Sequence, residues 1–232
     1  HTHATAVLGI VDQPDSRAIC EEVYAGRMGF VRYIMPGFGL AKESADVFEA
    51  NPKVEGLLLD KHGIFTFGDS AREAYERMIE MVTLAEARLA RNRKSVFVSA
   101  QLPQASGALA EIAPILRGAV ALPDPKVEGA WKRLVFDFRS DDAILNFVNG
   151  SEVARYARTG VITPDHTIRT KNWPMVAPAP DAGQLADFRH LVREVASEFV
   201  DHYKAYFARN NARVGNDRTM LDPAPRVILV PG

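Results

Sequence analysis

Apolar residues recur along most of this chain at helical spacing, interrupted by short runs that alternate or are wholly apolar. The period is plainest after residue 70, where Ala74, Met78, Met81, Val82, Ala85 and Leu89 fall at three- and four-residue steps in one stripe. Ser70-Ala71-Arg72-Glu73, at its start, has capping-box spacing: the serine oxygen accepts an orphan amide and Glu73 reaches back to another. Arg91-Asn92-Arg93-Lys94 closes the stripe with cations at the negative end of the helix dipole, a solvated helix end. Leu185, Phe188, Leu191, Val192, Val195, Phe199, Tyr203 and Tyr206 mark a second long amphipathic helix, which also carries His190 and His202. Shorter helices are predicted over 4–11, 16–24, 40–50, 108–116, 141–148 and 152–158.

Between these lie strand signals. Residues 30–34 alternate and end at Pro36-Gly37. Residues 55–60 and 64–67 are too short for helices, and Lys61-His62-Gly63 makes a tight connection between them. Residues 131–138 alternate, and 226–230 form a last apolar run. A loop over 160–181 carries Pro164, Pro174, Pro178 and Pro180, and a loop of that length is usually functional or a linker. Helices and strands that interleave in this way predict a layered α/β fold. Gly-x-Gly-x-x-Gly is absent, so no complete dinucleotide-binding unit is expected.

Composition narrows the class of partner. The 232 residues suffice for one large domain or two small ones. Lys and Arg total 28 against 29 Asp and Glu, a net charge of -1, so no electrostatic feature points to nucleic acid or an anionic membrane. Cys20 is the single cysteine; it excludes an internal disulfide and a cysteine-based zinc site, and makes the cytoplasm the default compartment. No apolar run approaches the roughly 20 residues of a membrane span.

The candidate chemistry rests on histidine. His1-Thr2-His3 places two imidazoles at i and i+2, which share one side of an extended segment and can grip one metal ion. His62, between two short strands and before a glycine that allows close approach, is the best third ligand. Three neutral imidazoles leave a position open on zinc, as catalytic sites do. In the proline-containing loop His166 lies beside Asp165, Arg169 and Lys171; the two cations suit a phosphate, and the alternative is a loop-ordering network around Asp165.

The stretch from Leu57-Leu58-Leu59-Asp60-Lys61-His62-Gly63-Ile64-Phe65 to Ser70-Ala71-Arg72-Glu73-Ala74-Tyr75 closely resembles the His-Gly segment of the class II aldolase/adducin family. There it follows a His-x-His metal pair and an intervening strand, and a long helix comes next. His1-Thr2-His3-Ala4 looks like that pair, and Tyr33-Ile34-Met35-Pro36-Gly37-Phe38 like the linking segment. The resemblance covers about residues 1–90 and implies a three-layer α/β/α fold with a central, mostly antiparallel sheet. It also implies Zn2+ or another divalent metal held by His1, His3 and His62. It divides the chain into a metal-binding part over 1–92 and a C-terminal α/β extension over 93–232.

Gly160 to Lys171 and Asp222-Pro223-Ala224-Pro225-Arg226-Val227 resemble the aldolase half of bifunctional rhamnulose-1-phosphate aldolase/alcohol dehydrogenase proteins, in which a dehydrogenase domain follows. The resemblance implies cleavage of a ketose 1-phosphate, such as rhamnulose 1-phosphate, to dihydroxyacetone phosphate and an aldehyde, the metal stabilising an enediolate. The family's proton-transferring glutamate and phosphate-binding loops lie upstream of His-x-His, and therefore before residue 1, so no catalytic acid or base is assigned here. A sugar-phosphate substrate and a homo-oligomer, typically a tetramer, are the implied partners. Two alternatives remain: a phosphosugar epimerase using the same chemistry, and a non-catalytic adducin-like module, which has no need of the metal histidines.

Overall fold

A computed structural model describes residues 1–91 and 98–232, which fall into two compact units. The first takes in 1–91 and 161–168, the second 98–160 and 169–232. The division expected at 92/93, and Asn92, Arg93 and Lys94 of the basic run, lie outside the described residues. Residues 161–168, which the sequence places in the C-terminal extension, cluster with the first unit.

The first unit begins with α1 (Thr5–Val11) and α2 (Ser16–Tyr24), followed by β1 (Met28–Val31), α3 (Phe38–Ala50), β2 (Gly56–Leu59), β3 (Gly63–Thr66) and α4 (Ala71–Ala90). Ser70 caps α4 as its spacing predicts, its oxygen accepting the Glu73 amide at 3.2 Å. The Glu73 carboxylate accepts instead from the Asp69 amide, one residue before the position that a capping box assigns to it. The sheet runs β1-β2-β3. It is mixed rather than mostly antiparallel: β1 and β2 are parallel, because α3 crosses over between them, and β2 and β3 form an antiparallel hairpin. The register pairs Phe30 with Leu58 and Leu58 with Ile64, so these side chains share one face. On that face the sheet packs against Val7, Leu8, Ile10 and Val11 of α1, Cys20 and Tyr24 of α2, and Met78, Met81 and Ala85 of α4. On the other face Val31, Leu57 and Leu59 pack with Leu40 of α3 and with Val54. Helices thus cover both faces in three layers.

The second unit is built on α5 (Leu109–Ala119) and the long α9 (Leu185–Ala212). Ile112 and Leu116 of α5 pack against Phe188, Val192, Ala196 and Phe199 of α9, with Met175 and Ala177 completing the core. Around them stand β4 (Leu122–Pro123) paired with β5 (Trp131–Lys132), α6 (Asp142–Val148) and α7 (Val153–Tyr156), and β6 (Met175–Val176) parallel to β7 (Ile228–Leu229). The strand expected over 131–138 pairs only at Trp131 and Lys132, because its partner β4 is two residues long. The loop expected over 160–181 holds α8 (Pro164–Thr170) and β6. Among the described residues no helix is long and apolar enough to cross a membrane.

Candidate metal centre

The chain enters the first unit as an extended segment. Thr2 forms an antiparallel bridge with Ile64 of β3, with both backbone hydrogen bonds at 3.0 Å. The Thr2 hydroxyl reaches Met78 Sδ of α4 at 3.3 Å. Pleating then sends His1 and His3 to the same side, as their i, i+2 spacing requires. His62 arrives from the opposite direction, in the turn joining β2 to β3, where its amide donates to the Leu59 carbonyl at 3.0 Å. Gly63 follows because nothing larger fits: a Cβ there would stand 2.5 Å from the Thr2 carbonyl oxygen, 3.1 Å from His3 Cδ2 and 3.2 Å from His1 Cε1.

The three rings form a nearly equilateral cluster. The centroid separations are 4.9 Å for His1–His3 and 5.1 Å for His1–His62 and His3–His62. Each ring offers one nitrogen such that all three lie within 4.8 Å of one another. Phe65 stacks on the His1 ring at 4.2 Å and limits its freedom to turn.

The outer nitrogens fix the tautomers. His1 Nδ1 lies 3.0 Å from the Ile64 carbonyl oxygen, which only accepts, so Nδ1 carries the proton. His3 Nδ1 lies 2.7 Å from Asp165 Oδ2, a carboxylate oxygen that also accepts. In the neutral rings both Nε2 atoms are therefore bare lone pairs, and they face each other at 3.1 Å. Two lone pairs that close are repulsive unless a proton or a metal ion lies between them. His62 Nδ1 is buried and has no hydrogen-bond partner among the described residues. Burial first, and then the charge of His3, push the His62 imidazole below the ordinary value of 6.5, which favours the neutral, ligating form. This donor set fits a divalent metal of the zinc type: three imidazoles, two of them with outer nitrogens tied to a carbonyl and a carboxylate.

The other predicted residues divide. In α8, Thr163 accepts the His166 amide at 3.2 Å and contacts His166 Nδ1 at 2.6 Å, so that His166 takes part in the start of this short helix. Arg169 sits in the last turn of α8 and falls in the second unit. Lys171, one of the two cations suited to a phosphate, is 7% exposed. Its ammonium donates to the Asp222 carbonyl at 2.6 Å and rests 4.4 Å above the Tyr203 ring. Burial lowers its pKa, and Asp222 and its ion-pair partner Arg226 complete the surroundings. Lys171 is thus consumed within the second unit rather than presented to an anion.

Asp165 is the residue that local reasoning undervalued: it pairs with His3, not with its own loop alone. Its signal was its place beside His166 in a segment already notable for polar residues. A shallow cleft of about 390 Å³ runs beside Lys61 and is bordered by Asp12, Val161, Ile162, Thr163, Pro164, Thr167 and Ile168.

Residues 1–89 match the family model described as Class II Aldolase and Adducin N-terminal domain, and residues 107–232 match the one described as Aldolase class II, second domain. A curated relative, Uncharacterized oxidoreductase YuxG of Bacillus subtilis (strain 168), is 31% identical over 243 residues; the match takes in 100% of this chain and 33% of that protein. The chain therefore spans about a third of the length of this relative. The solved structure of the N-terminal class II aldolase domain of a conserved protein from Thermoplasma acidophilum is 37% identical, over 38% of this chain and 40% of that one, with a TM-score of 0.34.

Proposed function

We propose, for a chain that belongs to the class II aldolase family, that His1, His3 and His62 hold a divalent metal ion, zinc in the first instance, and that the centre serves aldol cleavage of a ketose 1-phosphate. The observation that carries this reading is the pair of bare Nε2 atoms 3.1 Å apart, with both Nδ1 atoms already engaged. When bound, the metal supplies Lewis-acid polarisation of a substrate carbonyl and hydroxyl, which lowers the cost of negative charge beside the carbonyl as the carbon–carbon bond breaks. The chain's own residues prepare that site. The Ile64 carbonyl and the Asp165 carboxylate hold His1 and His3 in the tautomer with Nε2 free. Phe65 stacks on the His1 ring, and Gly63 leaves the approach clear of side chain.

The substrate class follows from the resemblance of residues 160–171 and 222–227: a deoxy-ketose 1-phosphate of the rhamnulose 1-phosphate type, split to dihydroxyacetone phosphate and an aldehyde. A homo-oligomer is the expected working form. The word oxidoreductase in the relative's name applies to a protein of which this chain spans about a third. No Gly-x-Gly-x-x-Gly occurs in these 232 residues, and the reading rests on the histidines.

The test is product analysis with rhamnulose 1-phosphate on the zinc-loaded protein that carries this chain together with the upstream segment in which the resemblance puts the proton-transferring glutamate. The reading expects dihydroxyacetone phosphate that disappears with a chelator and with His62→Ala. Conversion to an epimeric sugar phosphate would replace the lyase with an epimerase. Zinc binding without turnover of any ketose phosphate would favour the non-catalytic module.

A further inference from the structure

We infer that Asp165 is a positioning residue for the metal centre, a carboxylate that sets the tautomer and orientation of the ligand His3 from 162 residues further along the chain. The inference rests on the metal-binding reading above and carries it beyond the three ligands.

The geometry is direct. Asp165 Oδ2 accepts from His3 Nδ1 at 2.7 Å, a length typical of a charge-assisted hydrogen bond. His3 is half-buried, with 24% of its side chain exposed, and Asp165 is 51% exposed. The neighbouring ligand His1 has a backbone carbonyl in the equivalent role, and a carbonyl is provided by the fold whatever the side chain. Among the described residues His3 Nδ1 meets a side chain, Asp165, rather than a backbone carbonyl. An ionised carboxylate also makes the ring more electron-rich than a carbonyl does, so its Nε2 is the better donor.

Asp165 reaches this place because residues 161–168 cluster with the first unit although they follow residue 160 in sequence. Thr163, accepting the His166 amide, starts α8 and puts Asp165 in its first turn. Residues 1–89, which match the N-terminal family model, thus contain all three ligands but not the group that orients the second of them. Metal affinity is then a property of the whole chain, not of that stretch alone.

Asp165→Ala, Asp165→Asn and Glu76→Ala in the full chain test this. Glu76, an exposed carboxylate on α4 paired with Arg72, controls for the loss of one negative charge. Zinc affinity is read by competition with a chromophoric chelator, and the His3 tautomer of the metal-free protein by 15N NMR of the imidazoles. Removing such an outer carboxylate typically lowers metal affinity by about 10–100-fold. Asp165→Ala is expected to fall in that range with a mixed His3 tautomer, Asp165→Asn between it and the parent, and Glu76→Ala with the parent. Should the alanine variant fail to fold, the isosteric asparagine variant decides alone. Zinc affinity and tautomer unchanged in the Asp165 variants would overturn the inference. If the parent chain bound no zinc, the reading beneath it would fall, and the tautomer measurement would still decide whether Asp165 orients His3.

Discussion

The Nε2 atoms of His1 and His3 face each other at 3.1 Å while the Nδ1 of each ring is held elsewhere, one by the Ile64 carbonyl and the other by Asp165. In the neutral state this leaves no proton to bridge them, so the arrangement is strained without a cation and relaxed with one. Zinc is accordingly expected to raise the thermal midpoint of the protein, by mass action on the folded state. At 100 times the dissociation constant the gain is about 2.7 kcal/mol, and a differential scan with and without zinc reads it. No shift at saturating zinc would argue against a preformed site.

Gly63 is expected to be intolerant of any side chain. A Cβ would stand 2.5 Å from the Thr2 carbonyl, which is also the acceptor of the Ile64 amide in the bridge carrying both N-terminal ligands. Gly63→Ala should cost about 1–3 kcal/mol of stability and at least tenfold in zinc affinity together, because one displacement breaks both. A variant that lost neither would show that the N-terminal segment is not fixed by this approach.

Legibility followed the range of the interactions. The start of α4 was readable because Ser70 and Glu73 act within one turn, and α2 was readable over its whole length from local apolar spacing. The register of β1 was not: residues 30–34 alternate, yet Met28–Val31 pair, because Gly56–Leu59 decides which residues of β1 meet it. The helix α8 was hidden in a run of polar residues opened by a proline, since its start depends on a single threonine side chain. His1, His3 and His62 come together as the spacing and the resemblance suggested, whereas the His3–Asp165 pairing spans 162 residues and has no local periodicity to announce it.

A cluster away from the centre sets a pH dependence of stability. Arg27 donates to both Glu55 oxygens at 2.7 and 2.8 Å and to Glu80 at 2.7 Å. The Arg27 hydrogen bonds hold the Glu55 carboxyl below its ordinary 4.5. A depressed carboxylate contributes stability above its unfolded value and loses it as the pH falls through the folded one. Arg27→Ala should therefore cost about 1 kcal/mol near neutrality, a figure kept small because these side chains are partly exposed. The gap between parent and variant should close as denaturation is followed to pH values below 4.5. A gap independent of pH would assign the loss to packing instead.

Cys20 should be silent in the native state. It is 4% exposed, and burial, followed by the charge of Asp60, pushes its thiol up to about 12. At about pH 8 the thiolate fraction is on the order of one in ten thousand, so a thiol reagent should label the chain only after unfolding. Rapid labelling of the folded protein would contradict the packing of α2 against α1 and α4.

The central claim is that His1, His3 and His62 hold one divalent ion, and it is tested most directly by elemental analysis after zinc loading and gel filtration. The parent chain is predicted to retain one equivalent of zinc, and His62→Ala and His3→Ala to retain almost none while keeping the parent's circular dichroism. Equal zinc in parent and variants, or none in the parent, would contradict it.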